Sequence, residues 1–122
     1  MGKYVQKILF VCLLVAISTF TYAQQQDCSK LPNKFSSYQE AYSLIKSAKF
    51  KIAENYSSFN SSWIASLSYY SCDGSKGFLM LVTKKGQFYI HKEVPIGLWK
   101  GLRNAGSKGG YYSMQIRNKY QL

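Results

Sequence analysis

Three features of the sequence predict an α+β fold. A run at helical spacing follows Tyr38, a block from Trp63 to Val94 alternates with period two between turn residues, and helical spacing returns after Pro95. The expected architecture is an N-terminal helix, then a three-stranded antiparallel meander packed against two C-terminal helices, because three strands need a covering layer to be stable.

The chain of 122 residues opens with Lys3 and Lys7, an apolar block from Ile8 to Ile17, and a small-residue site at Thr21-Tyr22-Ala23. That is the three-part layout of a secretory signal, so residues 1–23 are expected to be a signal peptide cleaved after Ala23. A membrane span needs about 20 predominantly apolar residues, and Ser18, Thr19 and Thr21 interrupt this run early. Lipidation needs small residues ahead of a cysteine, and neither Cys12 nor Cys28 has them. The expected product is periplasmic or secreted, with no transmembrane anchor.

Cleavage removes two of 16 basic residues and none of 5 acidic ones, leaving 14 against 5 and a formal charge of +9. Residues 24–36 are polar, carry Pro32 and read as a mobile leader. Ser37-x-x-Glu40 has the form of a capping box, and Ala41, Leu44, Ile45 and Ala48 then repeat at helical spacing, which predicts a helix over 38–48. Phe50 and Ile52 alternate with Lys49 and Lys51 as a short extended segment, and YSSFNSS at 56–62 is a loop. Residues 37–61 are thus read as helix and linker, and 62–122 as the domain proper.

In the first predicted strand Trp63, Ala65, Leu67 and Tyr69 fall on one face, with Ile64, Ser66, Ser68 and Tyr70 on the other. Cys72-Asp73-Gly74-Ser75 is turn chemistry, Phe78 to Thr83 a second strand, and Lys84-Lys85-Gly86 a hairpin tip before a third strand, Gln87 to Val94. Pro95 suits a first helical turn, after which Leu98, Trp99, Leu102 and Ala105 share a face opposite Lys100, Arg103 and Asn104. Gly106 ends that helix, and Ser107 caps a last one holding Tyr111, Tyr112 and Ile116.

Cys28 and Cys72 survive processing, and an oxidising compartment favours a disulfide between them; two reduced thiols are the alternative. No Cys-His cluster has zinc spacing, so neither metal nor cofactor is expected.

Ser62 and Ile64, Gly86 and Tyr89, Val94-Pro95, and above all the block Asn104-Ala105-x-Ser107-x-Gly109-x-Tyr111-Tyr112-x-x-x-Ile116-Arg117-x-x-Tyr120 form a recognisable pattern. It resembles the KTSC domain, a short module named for its occurrence at the C-terminus of some lysyl-tRNA synthetases and also found alone in bacterial proteins. The resemblance runs from Ser62 to Tyr120, 59 residues, and leaves the helix at 38–48 outside. It implies a central Tyr-x-Tyr motif, here Tyr89-Ile90-His91 with histidine as its second member, and RNA binding as the role suggested for the family.

Tyr89 and His91 share one face of a strand, and ringed sheet faces hold unpaired bases by stacking; packing under a helix, beside Trp99 or Tyr112, is the competing role. Lys100, Arg103, Lys108, Arg117 and Lys119 crowd the last quarter of the sequence, with no acid after Glu93. Such a field attracts polyanions, including nucleic acid, lipopolysaccharide and anionic headgroups, although a solvated face explains single lysines equally well. Arg117 either grips a phosphate or carboxylate, or pairs with Glu93 or Asp73 and holds the C-terminal segment down. The candidate ligand-binding set is therefore Tyr89, His91, Lys100, Arg103, Arg117, Lys119 and Tyr120. Catalysis is not expected: the single histidine has no acid partner in sequence, and there is no nucleophile elbow, phosphate loop or metal motif. These features describe an exported, basic, non-catalytic binding module whose partner is a polyanion or another envelope protein. The alternative is an RNA-binding domain that uses the aromatic strand face and the basic C-terminal segment.

Overall fold

The computed structural model describes residues 25–57 and 59–122. The segment read as a signal peptide lies outside them; among the described residues no helix is long and apolar enough to cross a membrane. The elements are α1 (Tyr38–Ser47), β1 (Ile52–Tyr56), β2 (Ile64–Ser71), β3 (Lys76–Thr83), β4 (Phe88–Pro95), α2 (Ile96–Asn104) and α3 (Lys108–Gln115), after a 3-10 turn at Cys28–Lys30.

Side-chain caps set the N-terminal ends of α1 and α3. The Ser37 hydroxyl accepts the Glu40 backbone N–H at 3.1 Å, and the Glu40 carboxylate in turn accepts the Ser36 hydroxyl, so the first turn of α1 is closed from both directions. Ser107 caps α3 in the same way through the Gly110 N–H at 3.2 Å. Between the last two helices, the Lys108 ammonium donates to the carbonyls of Arg103 at 2.9 Å and Ala105 at 3.0 Å, which fixes α3 against the end of α2.

The sheet has four strands, not three, in the order β1-β2-β3-β4 and antiparallel throughout. The extra strand is the extended segment after Phe50, which pairs with β2 from Ile52 opposite Ser71 to Tyr56 opposite Leu67. Its pattern was weak because only its inner face is partly covered, and the loop that joins it to β2 is too long to read as a hairpin turn.

Helices cover both faces of this sheet, where the sequence placed them on one. Leu67, Tyr69, Leu79, Leu81 and Val94 meet Trp99, Leu102, Tyr112 and Ile116 of the C-terminal helical segment. On the other face Tyr70, Met80 and Ile90 meet Ala41 and Ile45 of α1, ringed by Phe35, Phe50, Phe78 and Phe88. A β-sheet with apolar side chains on both faces has to bury both, and α1 supplies the second layer.

Two bulges re-aim side chains against simple alternation. Ile64 pairs with Thr83 and Ser66 with Val82, so Ala65 is the extra residue and Ile64 turns into the same core as Leu67 rather than the opposite face. In β4 the step from His91 to Val94 spans the step from Leu79 to Gly77, and Glu93 absorbs the extra residue at φ 55°. Gly77 lies so close to β2 that a methyl group there would run into the Tyr70 carbonyl.

Residues 25–36, expected as a leader, are tied to the fold at several points. Cys28 N–H donates to the Lys49 carbonyl at 3.0 Å, Lys49 N–H donates to the Gln26 carbonyl at 2.8 Å, and Leu31 and Phe35 pack against the α1 core. Cys28 and Cys72, the latter in the β2–β3 turn, lie at disulfide distance with their Cα atoms 5.8 Å apart.

Trp99 is the largest fully buried side chain, stacked on Tyr69 with ring centroids 5.3 Å apart and planes 9° from parallel. Trp99→Ala is expected to cost about 3 to 5 kcal/mol in urea unfolding, through lost contact and a cavity between α2 and the sheet. An unchanged unfolding midpoint would mean that α2 is not held by this ring.

Candidate functional site

A cleft of about 840 Å³ opens where the β3–β4 hairpin, the start of β2, α3 and the C-terminal segment meet. Local sequence builds each wall. Lys84 N–H donates to the Trp63 carbonyl at 2.8 Å, and Gly86, at φ 86°, closes the turn so that Lys84 and Lys85 stand at the rim. Past α3, the Arg117 N–H bonds to the Tyr112 carbonyl at 2.9 Å and Asn118 takes φ 64°, which turns the chain back until Gln121 bridges to His91 on the outer side of β4.

The floor is a hydrogen-bonded chain. His91, only 6% exposed, has Nδ1 3.0 Å from the Tyr120 carbonyl and Nε2 2.7 Å from the Tyr112 hydroxyl. A carbonyl only accepts, so Nδ1 carries the proton; in the neutral ring Nε2 then accepts the Tyr112 O–H. Burial pushes the His91 pKa below its ordinary value, with the bond to Tyr120 opposing. Burial also pushes the Tyr112 phenol up to about 12, against a downward pull from Arg117. The floor is therefore uncharged at neutral pH.

The walls are aromatic and the rim is cationic. The Trp63 and Tyr112 rings lie 5.8 Å apart and those of His91 and Tyr112 5.4 Å apart, while Tyr89 is 39% exposed on the cleft side. Lys84, Lys85 and Arg117 line the opening, and among the described residues no carboxylate does. Such a site fits a ligand that pairs an anionic group with a flat or apolar body.

Of the residues proposed from sequence, Tyr89, His91 and Arg117 come together here. Tyr120 contributes its carbonyl to His91 while its ring packs on the core. Lys100 and Lys119 are exposed outside the cleft lining, and Arg103 is held by Glu54 at 2.7 Å. Arg117 pairs with neither of its expected acids. Glu93 lies 3.8 Å from Lys76, and the Asp73 carboxylate accepts the N–H groups of Ser75 at 2.8 Å and Lys76 at 3.1 Å within its own turn. Trp63, Tyr112, Lys84 and Lys85 were missed as site residues: Trp63 read as one face of the first strand, Tyr112 as a helix residue packing on the strand of Tyr89 and His91, and the two lysines as a hairpin tip far in sequence from Arg117.

His91 predicts a pH dependence of stability with a definite sign. The unfolded chain takes up a proton on this residue near 6.5, whereas the folded chain resists it, so its contribution is present above that value and is lost as pH falls toward the lowered folded pKa. Stability by chemical denaturation should decline between about pH 7 and pH 5. His91→Gln, whose amide offers one donor and one acceptor to the same partners, should flatten that decline, and identical slopes would show that His91 does not carry it.

The KTSC domain family matches residues 60–120, a span that holds β2 to β4, α2, α3 and every cleft residue named above except Gln121. No curated protein matches the chain.

Proposed function

The chain belongs to the KTSC domain family, and from that membership and the cleft we propose that it is an exported, non-catalytic binding module that holds an anionic ligand between β4 and α3. The observation that carries the reading is the lining itself: Lys84, Lys85 and Arg117 converge with no acid among them, above a wall of aromatic rings. Charges of one sign around a concave, low-dielectric surface focus their field into it and concentrate counter-ions there. Export is supported by the signal-like layout of residues 1–23 and by two cysteines at disulfide distance, an arrangement that persists in oxidising compartments. A second reading, single-stranded nucleic acid, is favoured by one observation: the half-open Tyr89 ring, in the same cleft as Arg117, offers a stacking surface for an unpaired base.

Intact-mass analysis of the protein recovered from its host tests the export part. The chain is expected to begin at Gln24 and to resist alkylation until reductant is added. A full-length, membrane-embedded form, or two thiols labelled without reductant, would overturn it.

Binding is tested by salt elution from heparin with two variants of equal net charge. Replacing Lys84, Lys85 and Arg117 by Gln should lower the eluting salt far more than replacing Lys46, Lys51 and Lys100, because only the first set surrounds the cleft. Equal shifts would mean diffuse attraction and no site. In the same assay Tyr89→Ala separates the ligands: loss of a stacking platform weakens a single-stranded oligonucleotide by about 1 to 3 kcal/mol and leaves heparin, which has no flat bases, unchanged.

A further inference from the structure

We propose that the cleft takes up an oxyanion together with a proton: His91 becomes charged as the ligand binds, and Tyr112 turns its hydroxyl from His91 to the ligand. The inference rests on the anion-binding reading above and specifies the kind of anion and the role of the floor.

Nδ1–H of His91 is committed to the Tyr120 carbonyl, so Nε2 is an acceptor and the Tyr112 O–H points at it over 2.7 Å. The phenol oxygen then has only lone pairs left to face the cleft, an arrangement that repels an anion. Adding one proton from solvent to Nε2 reverses this bond. The imidazolium N–H donates to the phenol oxygen, and the phenol proton, which never leaves Tyr112, is released to donate into the cleft. One N–H bond forms on Nε2 as one O–H bond of a solvent hydronium ion breaks and leaves water, and neither ring has to move.

The surroundings explain why the ligand and not the protein drives the change. Facing His91 and Tyr112 are Arg117 after α3, Lys84 and Lys85 at the hairpin tip, Tyr89 on the same strand and Tyr38 of α1. All are cationic or neutral. The acid nearest in sequence, Glu93, is on the exposed side of the bulge beside Lys76. Among the described residues an imidazolium here has no counter-ion, and burial adds to the penalty. An oxyanion seated against Lys84, Lys85 and Arg117 supplies the missing charge and the acceptor that the freed hydroxyl requires. A ligand whose buried end is apolar or cationic would have neither effect.

His91 is the single histidine of the chain, so one imidazole resonance reports its titration directly. The probe is benzenesulfonate, a flat ring with an oxyanion whose charge is constant over the pH range used. With saturating probe the His91 midpoint is expected to rise. By reciprocity the probe binds more tightly at low pH by the same factor, about tenfold where the midpoint climbs by one on the pH scale. Tyr112→Phe keeps the ring and removes the hydroxyl that would donate to the ligand, so the ratio of affinity at acid pH to affinity near pH 7.5 should shrink relative to the unaltered protein. Probe-induced changes at the Trp63 and Arg117 resonances with an unmoved His91 midpoint would overturn the coupling and leave the anion site standing. If benzenesulfonate moves no cleft resonance at any pH, the anion-binding reading falls and the coupling falls with it.

Discussion

The Trp99 ring lies flat on Tyr69, and that contact sets where every later element goes. Tyr69 is in the middle of the sheet, and its hydroxyl donates to the Val94 carbonyl at 2.7 Å, so the strand that leads into α2 is fixed to the residue that α2 covers. The Trp99 indole N–H reaches the Glu54 carboxylate at 3.4 Å, and Arg103, one turn further on, grips its other oxygen. One acid thus fastens β1 to α2. With α2 placed, Lys108 seats α3 on its end, and α3 carries Tyr112 over His91. The cleft floor is the last link of a chain of contacts that starts at Trp99.

How much of this was legible in the sequence depends on whether the signal was local. The strands β2 to β4 and both C-terminal helices follow from alternation, turn residues and caps, all of which act within a few positions. Ile64 escaped because a bulge opposite Thr83 breaks the period on which its face assignment relied. β1 escaped because a half-covered edge strand needs no apolar alternation. The position of α1 is a tertiary fact: Ala41 and Ile45 define an apolar stripe, but nothing in the stripe says which face of the sheet receives it.

The same distinction governs the site. Tyr89 and His91 were visible as neighbours on a strand face. Arg117 was visible as one cation of the C-terminal cluster and as a residue of the family pattern, not as a neighbour of that strand, and Lys84 and Lys85, which share its cleft, are some thirty residues earlier in the chain. The expectation of one basic patch in the last quarter fails for Arg103 because helical geometry points it at Glu54, and for Lys100 because the same helix directs it to solvent on another side. Charge density along a sequence is a poor guide to charge density in space when helices distribute it around their axes.

The strand that lies before the family-matched region has a consequence for self-association. Without β1, the eight-residue β2 would present its backbone donors and acceptors along an edge, a template for pairing with another copy. β1 occupies that edge with a strand of five residues whose central Glu54 is turned inward to α2. The opposite edge is interrupted by the Glu93 bulge and by the bridge from Gln121 to His91. A short strand, an inward charge, a bulge and a covering segment are the means by which open sheets avoid adding strands from neighbours. The two borders of this sheet use all four, so the molecule presents its aromatic cleft to solvent while its sheet edges resist growth into aggregates.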